Sequence, residues 1–314
     1  MTFHRQMAAA ALAALAFALP AQAQTQLTYK SAKTGTSYYQ MGVELAEAVK
    51  TASDGNLILT VEESQGSVQN VMEVRARGGD YIFTAPPPLV ADAQAGAAAF
   101  EGKGDAKFAE IRALFPIPSL TMHFVLSGTE GGTDMGQLEG KSVLLGKGTF
   151  SATEGEKYLN LFGLMDKVKI ADAELSNAGD ALKNGQIDAF VSASSWPAPN
   201  IIEAAAGTGV RILSLSDEQV TQTGQARVEI PAETYPGQTE AIVTTGLPVV
   251  AFTTTAMDEE TAYQLTKDFW ETREKLAETA AWWAGVSPDQ VAGIGTLHPG
   301  AKRYYDEAGV ATGG

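Results

Sequence analysis

The chain has 314 residues, 45% of them hydrophobic and only 19% charged, with a net charge of −15 and no cysteine. That length gives room for two α/β units, each with its own core. The acidic balance argues against a nucleic-acid footprint, and the lack of cysteine excludes disulfides, thiolate zinc sites and a cysteine nucleophile.

The first 23 residues have the anatomy of a secretory signal. Arg5 supplies a cationic start, and Met7–Leu19 is an apolar run of 13 residues. Pro20 ends it, and Ala21–Gln22–Ala23 offers a small-residue cleavage site. The run is shorter than the ~20 residues a membrane-spanning helix needs. The expectation is a cleaved leader and an exported chain, periplasmic in a Gram-negative cell.

Strands and helices then alternate. QLTYKSA (26–32) alternates as a strand, and SYYQMGVELAEAVKTA (37–52) carries Met41, Leu45, Ala48 and Val49 on one helical stripe. NLILTVEES reads as a strand, SVQNVMEVRARG as a helix closed by Gly78, and DYIFTA as a strand running into Pro86–Pro87–Pro88. A Gly-rich, hairpin-like insert (96–104) precedes two apolar segments, EIRALFPIP and LTMHFVLSG. The cycle resumes with KSVLLG as a strand, 151–163 as a helix, KVKIADAEL as a strand, AGDALKNG as a helix and QIDAFVSAS as a strand. APNIIEAAAGTG is a further helix and VRILSLS a further strand. GLPVVAFTTT, a long helix from Asp258 to Trp283 and a short one from His298 to Ala308 complete the chain.

This alternation predicts parallel sheets covered on both faces. Two stretches repeat. ARGGDYIFTAPP echoes LKNGQIDAFVSASSWP, and the loop Lys33–Thr34–Gly35–Thr36–Ser37 is set against Lys147–Gly148–Thr149–Phe150–Ser151. Two similar halves predict two lobes with a cleft at the carboxyl ends of the strands. Neither loop has the spacing of a mononucleotide-binding P-loop. What both offer is a helix N-terminus with exposed N–H groups, together with the hydroxyls of Thr36, Ser37, Thr149 and Ser151, which suits a carboxylate. The alternative is that these hydroxyls only cap their helices.

No nucleophile elbow, zinc-protease helix or metal-ligand cluster occurs, and beyond the leader the only histidines are His123 and His298. His123 lies in an apolar run and reads as a core residue; Trp282–Trp283 reads as packing. No cofactor, metal or catalytic residue is nominated.

Several motifs carry a family resemblance: TGTSYYQMG (34–42), QGSVQNV (65–71), ALFPIP (113–118), GKSVLLGKGTFSATEG (140–155), ALKNGQIDAF (181–190), PAPNI (197–201), IPAETYPGQ (230–238) and LHPGAKRYYDEAG (297–309). Together they resemble the TAXI family of extracytoplasmic solute-binding proteins, the receptors of one class of TRAP transporters. The resemblance implies a type II periplasmic-binding-protein fold. Lobe I would comprise 24–118 plus 230–314 and lobe II 119–229, with two hinge segments between them. A small organic acid such as glutamate or a dicarboxylate would be clamped in the cleft and passed to TRAP permease membrane subunits. A monomer is expected, with no nucleic-acid partner. The family's pocket falls on Thr34, Gly35, Thr36, Ser37 and Tyr38, on Gly66, Ser67 and Asn70, and on Thr84; Lys33, just before that loop's threonine, is added as a candidate from its charge. In lobe II it falls on Lys147, Gly148, Thr149, Ser151 and Thr153, and on Ser194, Ser195 and Trp196. TAPPP (84–88) and Ser194–Ser195–Trp196 depart from the family's polar pattern and imply a ligand with an apolar part. Trp196 is expected to stack on that part and Lys147 to hold the anion. A second possibility for the same fold is a periplasmic sensor or scaffold serving a signalling partner.

Overall fold

The structure, a computed structural model, describes residues 24–313; the expected secretory leader lies outside them. The first lobe is assembled from β1 (Thr25–Lys30), α1 (Ser37–Ala52), β2 (Leu57–Glu62), α2 (Ser67–Glu73), β3 (Tyr81–Ala85) and α3 (Pro87–Ala95). Strand β1 pairs in parallel with both β2 and β3. The chain then enters β4 (Ile111–Ser127), which leads to β5 (Ser142–Leu144), α4 (Phe150–Leu161), β6 (Lys169–Ala171), α5 (Ala178–Lys183), β7 (Ala189–Ser194) and α6 (Pro199–Thr208). Here β5 pairs in parallel with both β6 and β7. The remainder is β8 (Val210–Ile212), α7 (Asp217–Thr223), β9 (Ala226–Ile230), β10 (Ile242–Thr254), α8 (Glu259–Thr279) and α9 (Pro299–Glu307).

The strand order β2-β1-β3-β10-β4-β7-β5-β6 is an internal repeat. Each lobe holds a parallel trio, and each trio receives an antiparallel fourth strand from the chain that passes between the lobes. That strand is β10 beside β3 in one lobe and β4 beside β7 in the other. β4 and β10 are themselves antiparallel partners, from Ile111↔Thr254 to Thr121↔Gly246. Beyond that point they part: β4 continues along β7 and β8, and β10 pairs with β9. The two interlobe crossings therefore lie side by side, near 118–121 and 246–249.

Five features differ from expectation. The two segments around Pro116 and Pro118 form one 17-residue strand. Within the first lobe β4 has a ladder only with β10, so its other side tolerates prolines that lack an N–H. The proline triplet opens α3 with Pro at its first positions, where no N–H is needed. The expected strand at 167–175 is only three residues long, because an exposed turn takes over at Asp172. The last long helix stops at Thr279, and Trp282 and Trp283 fall in a following 3₁₀ turn. Both indole N–H groups donate to Glu44 Oε2 on α1, at 3.1 and 2.7 Å. Ile230, Tyr235 and Ile242, assigned from sequence to the first lobe, pack with Ala198, Ile201 and Ile212 of the second.

Candidate functional site

The loops after β1 and β5 are built alike, for reasons that can be traced atom by atom. In each, a turn places glycine at a positive φ, 85° at Gly35 and 78° at Gly148. That conformation favours glycine at the third turn position. A threonine follows as the helix N-cap. Thr36 Oγ1 donates to Lys33 O at 2.7 Å and accepts from Tyr39 N at 3.4 Å. Thr149 Oγ1 donates to Gly146 O at 2.6 Å and accepts from Ala152 N at 3.2 Å. The backbone bonds Thr36 N→Lys33 O and Thr149 N→Gly146 O close the two turns.

These bonds correct the register read from sequence. Lys33 corresponds to Gly146, not to Lys147, and Lys147 corresponds to Thr34 at the apex of its turn. The apex points to water: the Lys147 side chain is 83% exposed and its Nζ lies 3.8 Å from Asp172 Oδ1. Lys33, at the base of its turn, is 29% exposed and reaches across to Glu174 Oε2 at 3.7 Å.

The lobes enclose a cavity of about 120 Å³. That is space for on the order of ten water-sized groups. Of the residues proposed from sequence, Lys33, Thr34, Gly35, Thr36 and Tyr38 line it from the first loop, with Ser67 and Thr84 beside them. Thr149, Ser151 and Ser194 line it from the second lobe. Ser37, Asn70, Lys147, Gly148, Thr153, Ser195 and Trp196 do not.

Several of these have visible structural employment. Asn70 is fully buried behind the wall and donates to Ser31 O at 2.8 Å and Thr84 O at 2.9 Å, tying together the ends of β1 and β3. Trp196 packs against the second lobe's own core, so the expected stacking on a ligand is not what its position offers. Ser37 and Ser195 sit beneath the cavity, in contact across the lobes. Ser37 Oγ is 2.6 Å from Ser194 Oγ and accepts from Ser195 N at 3.2 Å. Ser195 Oγ donates to Ser119 O at 2.6 Å, and Tyr38 OH donates to Pro118 O at 2.8 Å. Burial raises the Tyr38 phenol well above its ordinary range, so it acts only as a neutral group.

His123 is fully buried, as its apolar run implied, with Nε2 at 2.9 Å from Tyr235 OH. The same hydroxyl accepts from Ala198 N at 3.0 Å, at the start of α6. Burial pushes the imidazole down to about 4, so it is neutral at physiological pH.

Sequence reasoning missed a second-lobe wall made of Glu174, Leu175 and Ser176, and of Asn200 and Glu203 on α6. The spacing of Asn200 and Glu203, three apart on one helix face, was the available signal. The turn at 174–176 left none, since it falls inside a stretch that alternates like a strand.

The cavity's chemistry is that of hydroxyls and helix ends. The charged side chains lining it are Lys33, Glu174 and Glu203. In α1, Tyr39 N and Gln40 N turn to Thr36, which leaves Ser37 N and Tyr38 N without an acceptor among the described residues. In α4, Ala152 N and Thr153 N turn to Thr149, leaving Phe150 N and Ser151 N likewise. Each helix end adds roughly half a positive charge. A second hollow, about 410 Å³ around Arg211, lies at the opposite end of the second lobe's strands.

Solved structures share this architecture, and two illustrate it. A protein from Bordetella bronchiseptica RB50 superposes with a TM-score of 0.55 at 14% identity, covering 91% of this chain and 98% of its own. The periplasmic binding protein BugD superposes with a TM-score of 0.56 at 12% identity, over the same shares of the two chains. The fold is thus the two-lobed one of periplasmic binding proteins, with its cleft between the lobes. A family model matches residues 30–309, and the chain belongs to the NMT1-like family.

Proposed function

We propose that the protein is an extracytoplasmic solute-binding protein that captures a small organic anion, a carboxylate, between its lobes. It would deliver that ligand to membrane permease subunits of the TRAP type, as a receptor of the TAXI kind. The observation that carries this reading is the opening of two helix N-termini, α1 from one lobe and α4 from the other, onto one cavity. Each contributes free first-turn N–H groups, a preorganised anion site that needs no arginine. In this reading the second lobe runs from 119 to about 247, and binding is completed when the lobes meet. No helix among the described residues is long and apolar enough to cross a membrane, and a periplasmic chain freed of its leader fits that.

A thermal-shift screen over organic acids, inorganic anions and neutral sugars tests the proposal. A ligand at 100 times its Kd adds about 2.7 kcal/mol of stability, which is easily read. At least one organic acid is expected to raise the melting temperature. Shifts confined to neutral sugars would overturn the reading.

A further inference from the structure

We infer that the ligand carries one carboxylate on an apolar body and that a second carboxylate is selected against. This rests on the organic-anion reading above and names the ligand class for the same cavity. Charge balance is the first reason. The ends of α1 and α4 supply roughly half a positive charge each, which together match a single carboxylate. Lys33, the one cation lining the cavity among the described residues, is already engaged by Glu174 across the cleft at 3.7 Å. Glu203 also lines the cavity and has no cationic partner among the described residues. A second carboxylate on the ligand would therefore meet the exposed carboxylates of Glu174 and Glu203 at the cavity wall, a solvent-screened repulsion, with no unpaired cation lining the cavity among the described residues.

The apolar side chains are the second reason. Leu120 and Val249 come from the two adjacent crossing strands, Phe150 from the first turn of α4, and Leu175 from the turn beyond β6. They enter one small cavity from the hinge and from the second lobe. The first three are nearly buried, at 4%, 2% and 8% exposure, and form a dry apolar floor; half-buried Leu175 offers most of the apolar surface that a ligand body could newly cover. The expected apolar contact thus exists in the cavity, supplied by these residues instead of Trp196.

A matched pair of 2-oxo acids tests this: 4-methyl-2-oxopentanoate and 2-oxoglutarate share a head group and a similar size, and differ in the far end. Isothermal titration is expected to give at least tenfold tighter binding of 4-methyl-2-oxopentanoate. Glu203→Gln should narrow that gap severalfold by admitting the diacid. Leu175→Asn should weaken the monoacid and leave the diacid unchanged, with unaltered melting of the unliganded variants confirming that both are folded. Equal or tighter binding of 2-oxoglutarate to the wild-type protein overturns the inference and leaves the organic-anion reading standing. No response to any organic acid in the broader screen ends that reading instead.

Discussion

The two helix-opening loops show how far one local design can diverge in use. Both place glycine at the third turn position and a threonine N-cap, with hydrogen bonds matching to within about 0.2 Å. After the cap they part. The first loop continues with Ser37, whose fully buried hydroxyl leaves its own lobe to meet Ser194 and Ser195. The second continues with Phe150, and the hydroxyl one step later, Ser151 Oγ, accepts from Ala193 N in its own lobe at 2.9 Å. The lysines differ for the same reason of position: a turn's base faces the cleft and its apex faces solvent. Identical turn geometry therefore does not imply identical roles, because the residues flanking the cap decide what the loop touches.

The largest expected effect lies at Ser37. Ser37→Ala leaves the Ser194 hydroxyl and the Ser195 N–H unpartnered where the lobes meet, at about 1–3 kcal/mol for a buried group. Because those bonds join the lobes, the loss should appear as roughly 10- to 100-fold weaker ligand binding. Ser151→Ala breaks a bond within one lobe and should lower the melting temperature of the unliganded protein with a much smaller change in affinity. The reverse pattern, measured by calorimetry on both variants, would remove the distinction between the loops.

The walls behind the loops can be contrasted by pH. Asn70, which does not titrate, backs the first-lobe wall; in the second lobe His123 and Tyr235 lie behind the end of β7 and the start of α6. The His123 pKa is depressed from 6.5 to about 4 in the folded protein. Between those values the unfolded chain binds the extra proton, so stability is full above pH 6.5 and falls as pH drops toward 4. The loss between pH 7 and pH 5 should be about 2 kcal/mol. Denaturant titrations of wild type and His123→Gln across that range should show this component vanish in the variant. An unchanged slope would show that His123 does not set it.

Trp196 separates core from cleft. Trp196→Ala should cost about 2 kcal/mol of unliganded stability, as expected for a partly buried aromatic side chain. Affinity should stay within about threefold; a severe loss of affinity with normal stability would return the indole to the ligand. The smallest effects belong to the lysines. Lys33→Met should weaken binding by about three- to tenfold, a modest figure because its charge is partly exposed. Lys147→Met should stay within about twofold. If Lys147→Met proved the more harmful, the one-residue register correction would be refuted by titration.

Much of this architecture was legible before the structure. Alternating patterns identified most strands and helices, and the repeated Gly–Thr turn with its following helix identified both helix ends that line the cavity. What escaped were features fixed by partners distant in sequence. Pro116 and Pro118 look like strand breakers until β10 is seen to ladder β4 on one side only in the first lobe. The Lys33–Lys147 correspondence looked sound until the hydroxyl acceptors, Lys33 O and Gly146 O, fixed the register. Trp196 looked like a ligand platform because it follows a polar strand end, yet the second lobe's core lies within its reach. Glu174 falls inside a stretch that alternates like a strand, and the one signal for Glu203 was its spacing from Asn200 on α6; both line the cavity from the second lobe.

The central claim is that the free first-turn N–H groups of α1 and α4 bind one organic anion. Backbone amide chemical shifts report on those groups directly. In a titration of the deuterated, ¹⁵N-labelled protein with the tightest organic acid from the screen, the Ser37, Tyr38, Phe150 and Ser151 amides should move downfield together. They should saturate at a single Kd, while Arg211 and its distant hollow stay still. Saturating shifts confined to the Arg211 hollow, with those four amides unmoved, would contradict the account.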